Sequence, residues 1–296
     1  MKKHIIMALV LGLLVGMVGL GNQTGQAKTT YRRLSRDFYK DAGDSNIFRN
    51  HFYRLNKKTT VKIYYSAKSD SRTIVKKLAL PKGTVISSLY QDWNSKHVVG
   101  AGDFSADLSY HLKRKTATKA VYGTGQIKFD FKLPTSRLTR VKRPAYALPL
   151  GNGTLLTGGL KAISALPTRK SNALKITSDG WLEYYQYHGY RYPDPDPDSS
   201  GKMLTIPYAT KPNSAVKINK ALTKGANVYL YSSKKLAGVT QKKVRTSGAY
   251  KYRLTVHNNH TPVGYEDTAC GNDYAASSIY TVGGKPFYTV VAQGGD

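Results

Sequence analysis

The only cysteine of the chain, Cys270, is its strongest potential nucleophile. A catalytic thiol needs a histidine as its base, and His257 and His260 both precede Cys270. In the cysteine peptidases of bacterial walls the cysteine comes before its histidine, and no histidine follows Cys270. These three residues also make a poor zinc site, because a structural site takes four ligands and their spacing is unusual. The pattern therefore favours an idle thiol, which has no partner for a disulfide within the chain.

Carboxylates are scarce, which limits acid–base chemistry. Asp103, Asp107 and Asp130 offer a pair for glycoside hydrolysis, which needs two facing carboxylates, but solvated strand faces explain them equally well. Three more acids alternate with proline over residues 193–198, without the central glycine and distal glutamate of a calcium loop. No nucleophile elbow, zinc-binding helix or phosphate loop occurs. We therefore expect a protein that is not an enzyme and that uses no cofactor or metal.

Basic residues are the one chemical group in large excess. The chain has 46 Lys and Arg against 17 Asp and Glu, for a net charge of +29. The net charge is +18 over residues 28–143, +1 over 144–202 and +8 over 203–296. Solubility alone is the alternative explanation of such charge, but a near-neutral middle between two basic parts favours local patches that bind a polyanion.

The N-terminal residues have the pattern of an export signal. Lys2 and Lys3 precede an uncharged apolar run over residues 5–20, and Ala27 suits signal peptidase. An uncleaved anchor is the alternative, although the run is slightly short for a span of roughly 20 residues. We expect residues 1–27 to be removed as a signal peptide, which lowers the net charge to +27, and no later segment to span a membrane. Nucleic acid is not expected as a partner of an exported chain.

The secondary structure that would position the basic and aromatic side chains has the sequence pattern of an all-β protein. Tyrosine is common, at 23 residues, and tyrosine favours strands. Residues 61–65 and 127–133 alternate as strands do, and Asp179-Gly180 is typical of a hairpin turn. Residues 74–80 fit a short helix or a strand equally well, whereas residues 257–261 are predicted to form a turn.

A degenerate repeat links two stretches of the chain. Residues 205–231 and 62–85 share a tyrosine-bearing strand, a polar turn and a lysine-rich segment that ends in Lys-Gly. The isoleucine and glycine are 19 residues apart in the first stretch and 20 in the second. Shorter fragments, 143–147 and 285–289, carry the opening strand alone. A recurring unit indicates modular architecture.

The third part of the chain resembles a bacterial SH3-like domain of the GW-related type, found in Gram-positive surface proteins. The matching segments are Ile206-Pro207-Tyr208, Leu222-Thr223-Lys224-Gly225, the aromatic strand at residues 247–252 and Val263-Gly264-Tyr265, where Tyr265 replaces the family's tryptophan. The first part matches through Leu80-Pro81-Lys82-Gly83 and the second through Asp179-Gly180-Trp181. The resemblance implies small β-barrels that bind wall polymers or peptides without catalysis.

These observations predict two or three small SH3-like β-barrel units in tandem. The expected segments are a basic arm (28–47), a basic unit (48–143), a near-neutral unit (144–192), a Pro-Asp linker (193–201) and a second basic unit (202–296). The linker's alternating prolines favour an extended spacer.

The predicted function is secreted, non-covalent attachment to anionic envelope polymers such as teichoic acids. The protein would be extracellular or associated with the cell wall. An adhesin for a host glycosaminoglycan or protein receptor is the alternative, and a cell-wall hydrolase is a third. The expected ligand contacts are Lys76, Lys77, Lys82, Lys217, Lys220, Lys224, Tyr229, Tyr231, Trp181 and Tyr185, although any single tyrosine among them is expected to be a core residue.

Overall fold

Strands dominate the computed structural model of the chain. It describes residues 31–34, 51–67, 73–88, 90–93, 97–101, 108–117, 121–126, 131–149, 153–159, 170–193, 203–267 and 273–294. Within these residues the only α-helix is the single turn α1, Tyr110–Lys113. The prediction of an all-β fold is confirmed. None of the described helices is long and apolar enough to cross a membrane.

The strands fall into two groups along the sequence. The first ten are β1 Tyr31–Arg33, β2 His51–Leu55, β3 Thr59–Ala67, β4 Thr73–Leu80, β5 Val85–Ser88, β6 Tyr90–Trp93, β7 His97–Ala101, β8 Val121–Gln126, β9 Phe131–Pro134 and β10 Leu138–Val141. The others are β11 Thr154–Thr157, β12 Ala173–Ile176, β13 Trp181–Tyr185, β14 Tyr190–Pro193, β15 Met203–Ile206, β16 Ser214–Lys217, β17 Lys220–Lys224, β18 Asn227–Ser232, β19 Lys242–Lys243, β20 Tyr252–Asp267, β21 Asp273–Val282 and β22 Lys285–Gly294.

Residues 51–141 form three small antiparallel sheets. Their orders are β10-β2-β5, β4-β3-β8 and β6-β7-β9. The alternation over residues 61–65 places Val61, Ile63 and Tyr65 in a shared core. Residues 74–80, which the sequence left open between helix and strand, belong to β4 and pair with β3. Strand β3 pairs with β4 on one side and β8 on the other, so it is the central strand of its sheet, and its apolar row is buried in this first core.

Most strands of the second group form one large sheet that curls around its own core, whereas β14 and β15 form a two-stranded sheet of their own. The order of the large sheet is β16-β13-β12-β11-β22-β21-β20-β18-β17, with β1 and β19 also paired to β20. The two end strands, β16 and β17, are separated in sequence only by Ile218 and Asn219. The sheet must therefore bend until its ends approach each other. Leucines and valines from most of its strands, among them Leu155, Leu182 and Leu254, fill the inside.

The tandem arrangement of SH3-like units is not confirmed. Strand β11 pairs with β22, and β13 pairs with β16, so residues 144–192 and 202–296 contribute to the same sheet. Strand β1, from the predicted basic arm, joins that sheet through β20. The physical reason is that β11, β12 and β13 alone leave two open edges, which need partners. The segment around the predicted linker connects β14 to β15, which pair antiparallel, while residues 194–202 lie outside the described part of the chain.

Two turns predicted from the sequence have different outcomes. Gly180 has a φ of 81° between the paired strands β12 and β13, so the Asp179-Gly180 hairpin is confirmed. Residues 257–261 lie inside β20, so the predicted turn there is wrong. The pairing of β20 with β21 shifts between Asn258 and Thr261, and His260 has a φ of 50°. The polar residues 257–261 therefore form a bulge, which bends β20 but does not reverse its direction.

Candidate functional site

One row of side chains crosses four strands of the large sheet. Lys220 of β17 pairs with Tyr231 of β18, Tyr231 with Arg253 of β20, and Arg253 with Lys242 of β19. Directly opposed residues of antiparallel strands share a face of the sheet. The alternate row, which includes Leu230 and Leu254, is buried in the core. The cationic row therefore points away from the core, with Lys220 and Lys242 exposed.

Two further rows extend this surface. The first contains Leu222, Tyr229 and Thr255, and Leu222 is 44% exposed, which is unusual for a large apolar side chain here. The second contains Lys224, Asn227 and His257, and the His257 ring nitrogen Nδ1 lies 3.0 Å from Asn227 Oδ1. The surface thus carries cations at its margins and aromatic or apolar side chains between them.

Aromatic rings and cations contact each other across this surface. The Arg253 guanidinium lies over the Tyr229 ring, 5.0 Å from its centroid. The Tyr250 ring is edge-on to Tyr231, at 6.3 Å between centroids, and Lys220 Nζ and the Arg245 guanidinium lie 5.6 and 5.8 Å from its centroid. We name this surface the cation–tyrosine face and define it by Lys220, Leu222, Lys224, Tyr229, Tyr231, Lys242, Arg245, Tyr250 and Arg253.

The charge of the face is not balanced locally. Residues 203–265, which include all of it, contain eleven basic residues and no acidic residue. Cations that lie over a tyrosine ring gain about 0.5–1 kcal/mol at exposed sites, which holds them in place without removing their charge. Surface cations in this setting raise the local concentration of anions. The arrangement is thus suited to binding a negatively charged ligand.

The structure brings four of the predicted contact residues into this face: Lys220, Lys224, Tyr229 and Tyr231. Sequence reasoning missed Lys242, Arg245, Tyr250 and Arg253. The alternation Tyr250-Lys251-Tyr252-Arg253 was visible, and it signals a strand with aromatic and basic neighbours. What the sequence did not indicate is that β19 and β17 lie on either side of the β18–β20 pair and complete the row.

Lys217 and Trp181 lie together at the other end of the sheet. They are paired across β13 and β16, and Lys217 Nζ is 5.6 Å from the Trp181 ring centroid. Lys217 also donates a 3.2 Å hydrogen bond to the Asp179 carbonyl oxygen. His111 of α1 stacks on Trp181, with centroids 4.7 Å apart and planes 17° from parallel. These two predicted contacts form a small cluster of their own, where the first group of strands meets the sheet.

Three other predicted lysines lie in the first group of strands. Lys77 of β4 is directly opposite Lys62 of β3, and both are exposed. Lys76, the preceding residue of β4, is also exposed but is opposite the buried Ile63, so it lies on the other face of the hairpin, and Lys82 is exposed in the turn that ends at Gly83. Like charges that face each other across strands are destabilising. This hairpin is a second basic surface, built from residues that do not belong to the cation–tyrosine face.

Tyr185 differs from the other predicted contacts because it lies in the interior. It is 1% exposed, so it is a buried residue and not part of a ligand-binding surface. Its hydroxyl donates a 2.8 Å hydrogen bond to Glu183 Oε2, and Lys175 Nζ lies 5.3 Å from its ring centroid. Burial and the neighbouring Glu183 carboxylate raise the Tyr185 pKa well above its ordinary value.

Tyr185 belongs to a cluster that we name the buried polar junction: Ser109, Tyr110, Lys113, Lys175, Asp179, Glu183 and Tyr185. The backbone N–H of Tyr110 donates a 2.5 Å hydrogen bond to Glu183 Oε1. The backbone N–H and the hydroxyl of Ser109 donate to the two Asp179 carboxylate oxygens, at 2.8 and 2.5 Å. The junction therefore attaches α1, together with Ser109 immediately before it, to the hairpin of β12 and β13.

Glu183 is the centre of the junction. It is 1% exposed, and Lys175 is directly opposite it in the β12–β13 ladder. Burial raises the pKa of the Glu183 carboxyl, and the charge of Lys113 and the hydrogen bonds from Tyr185 and Tyr110 oppose that rise. Lys113 is itself only 3% exposed. Glu183 and Asp179 therefore take part in contacts that stabilise the fold, and they are not available to a ligand.

Catalytic and metal-binding candidates gain no support from the described residues. These residues contain no group of three His, Cys, Asp or Glu side chains that is close enough to hold a metal ion. Cys270, Asp103, Asp107, Asp130 and the three aspartates of residues 194–198 lie outside them, as does the predicted signal peptide. No protein-family model, curated protein or solved structure matches the chain.

Proposed function

We propose that this chain is a non-enzymatic surface protein whose cation–tyrosine face attaches it to an anionic envelope polymer of the teichoic acid type. The observation that carries the proposal is the row Lys220–Tyr231–Arg253–Lys242, in a segment without a single acidic residue. Paired strands are about 4.8 Å apart, so the row offers three cations over about three strand spacings. A polymer with regularly spaced anions contacts several of them at once.

The tyrosines favour a polymer over a small anion. A free phosphate engages one or two cations and gains nothing from an aromatic surface. Sugar rings or glycerol units between charged groups pack against the exposed parts of Tyr229, Tyr231 and Leu222, which lie between the cations. Tyrosine is suited to this role because its ring is apolar and its hydroxyl remains in water.

We also propose that the protein is exported and that its segments are related to SH3-like domains. Residues 1–27 act as a cleaved signal peptide, and the mature protein is held at the cell surface without a covalent link. The SH3-like kinship of the individual segments remains part of the proposal. It rests on the Leu-x-Lys-Gly segments at residues 80–83 and 222–225, in which Gly83 and Gly225 both have positive φ values, 85° and 55°.

The decisive experiment measures retention of the mature protein on purified Gram-positive cell walls. Walls with and without their anionic polymer are compared at low and high salt. We expect strong retention on intact walls at low salt, and a steep loss with salt because exposed charges are screened. Retention that is equal on stripped walls, or unchanged at high salt, would contradict the proposal.

Competition identifies the class of polymer. Soluble teichoic acid and heparin are added at equal charge concentration to protein bound on intact walls. Teichoic acid should release the protein at the lower concentration. If heparin is the stronger competitor, and the protein also binds a glycosaminoglycan-coated surface, the ligand is a host glycosaminoglycan and the protein acts as an adhesin.

A further inference from the structure

A groove opens at one end of the large sheet, apart from the cation–tyrosine face. It lies between the loop that joins β18 to β19 and the turn that joins β21 to β22, and its volume is about 430 Å³. Its lining includes Lys235, Ala237, Val239, Val282, Lys285 and Phe287. None of its lining residues belongs to the cation–tyrosine face.

The groove combines an apolar floor with a cationic rim. Val282 and Phe287 lie at its base but are core residues, only 1% and 3% exposed. The apolar surface that a ligand can reach therefore belongs to Ala237, which is exposed, and Val239, which is half-buried against the same core. Lys235 and Lys285 are exposed and come from the two opposite walls. No acidic residue lines the groove. A ligand that complements both parts must carry an apolar portion and a negative charge.

The walls of the groove are fixed by specific contacts. Leu236, which is fully buried, donates its backbone N–H to Gln241 Oε1 at 2.6 Å, and the Ala237 N–H donates to Ser214 Oγ at 3.0 Å. The opposite wall turns at Gly283, where a side chain would collide with the Thr240 carbonyl oxygen. A groove that is held open in the free protein binds with a smaller entropic cost than one that must form.

We propose that the groove binds a single-chain anionic amphiphile, with its alkyl chain on Ala237 and Val239 and its negatively charged head between Lys235 and Lys285. The volume lies within the range of about 300–1,000 Å³ that is typical of small-molecule sites, and the mouths of curled sheets are common places for them. This binding is independent of the polymer proposal, because the two sites share no residue.

The test is a calorimetric titration of the mature protein with four probes below their micelle concentrations. Decanoate and nonyl phosphate, which share the same alkyl chain and differ only in the anionic head, distinguish a carboxylate from a phosphate. Butyrate lacks the chain, and decyltrimethylammonium reverses the charge. We expect at least one of the two long-chain anions to bind, with a negative heat-capacity change because apolar surface is buried, and the other two probes to bind at least tenfold more weakly.

Variants assign the binding to the groove. K235E/K285E should weaken binding of the long-chain anion at least tenfold, whereas K211E/K234E makes the same charge change at exposed residues that do not line the groove and should leave it unchanged. A237W fills the groove from an exposed position and should abolish binding while retention on cell walls is preserved. Equal binding of the cationic probe, absence of binding by both long-chain anions, or equal loss in both lysine double variants would overturn the proposal.

Discussion

The buried polar junction and the cation–tyrosine face both contain lysines and tyrosines but serve opposite purposes. In the junction, Lys113 and Lys175 are each 3% exposed; the charge of Lys113 acts on the Glu183 carboxyl, and Lys175 is opposite Glu183 in the β12–β13 ladder. In the face, Lys220 and Lys242 are exposed, and the surrounding segment contains no acid. The position of a few acidic residues therefore separates cations that hold the fold together from cations that remain available to a ligand.

The difference follows from the cost of desolvation. Removing an ammonium group from water costs several kcal/mol, and a hydrogen-bonded carboxylate nearby offsets that cost. Exposed cations keep most of their hydration and need no such partner, so their field extends into solvent. A basic composition alone does not distinguish the two cases, whereas burial together with the location of the acids does.

The largest expected effect is on the junction. Replacing Glu183 with alanine removes a buried carboxylate that lies near the charge of Lys113 and accepts hydrogen bonds from Tyr110 and Tyr185, which should lower the free energy of unfolding by about 3–5 kcal/mol. Glu183→Gln keeps the shape of the side chain and should cost less. Urea unfolding at neutral pH measures both. A loss below about 1 kcal/mol for the alanine variant would show that the junction does not stabilise the fold.

The junction should also carry a pH dependence that the face lacks. The Glu183 pKa is raised in the folded state, so the folded protein binds this proton more tightly than the unfolded chain. The contribution of Glu183 to stability is therefore greatest at low pH, and it falls as the pH rises from the ordinary value of 4.5 through the folded-state pKa. The unfolding free energy of the wild type minus that of Glu183→Gln should decrease over this range. A difference that stays constant or increases with pH would contradict the assignment.

Removal of charge from the face should affect binding and leave stability nearly unchanged. We expect K220Q/K242Q to reduce retention on walls about tenfold and to make its salt dependence shallower, because two cations leave the row. The matched control, K211Q/K234Q, removes two exposed lysines from the same acid-free segment but outside the face. Equal losses in the two variants would mean that net charge, and not the row, determines binding. Both should unfold within about 0.5 kcal/mol of the wild type, as exposed substitutions usually do.

The smallest predicted effect concerns geometry at constant charge. Arg253→Lys keeps a cation in the row but loses the planar guanidinium that lies over Tyr229. We expect a two- to threefold loss of retention with an unchanged salt dependence. Wild-type retention in this variant would indicate that the aromatic contacts do not orient the cations for binding.

Local features of the fold were accessible from the sequence. Residues 61–65 alternate because one side of β3 is core and the other is solvent, and Gly180 marks its hairpin because it adopts a positive φ. Half of the face was found in the same way, since Lys220, Lys224, Tyr229 and Tyr231 lie on the two strands of one local hairpin.

The remainder depends on pairings between distant segments. The two repeated stretches illustrate this. Strand β3 of the first stretch pairs with β4, which follows it in the chain. Strand β15 of the second stretch, which carries the corresponding Ile206, pairs instead with β14, which precedes it. Arg253 enters the row because β20 pairs with β18, and Lys242 enters it only because β19 pairs with β20. Tyr185 is among the expected contacts, although any single tyrosine of that set is expected to be a core residue; it is buried on the side of β13 that contacts α1. No local pattern indicates which strand will occupy an open edge.

The curl of the large sheet has a consequence for how the chain folds. Strand β11 pairs with β22, which is the last of the described strands in the sequence. Until β22 has been added to the sheet, both β11 and β21 have an unpaired backbone edge. Pairings between residues so far apart in sequence form slowly, and open edges in the meantime promote aggregation. The chain therefore cannot complete this sheet in stages from its N-terminus, and a protein shortened before β22 loses the strand that joins the two halves of the large sheet.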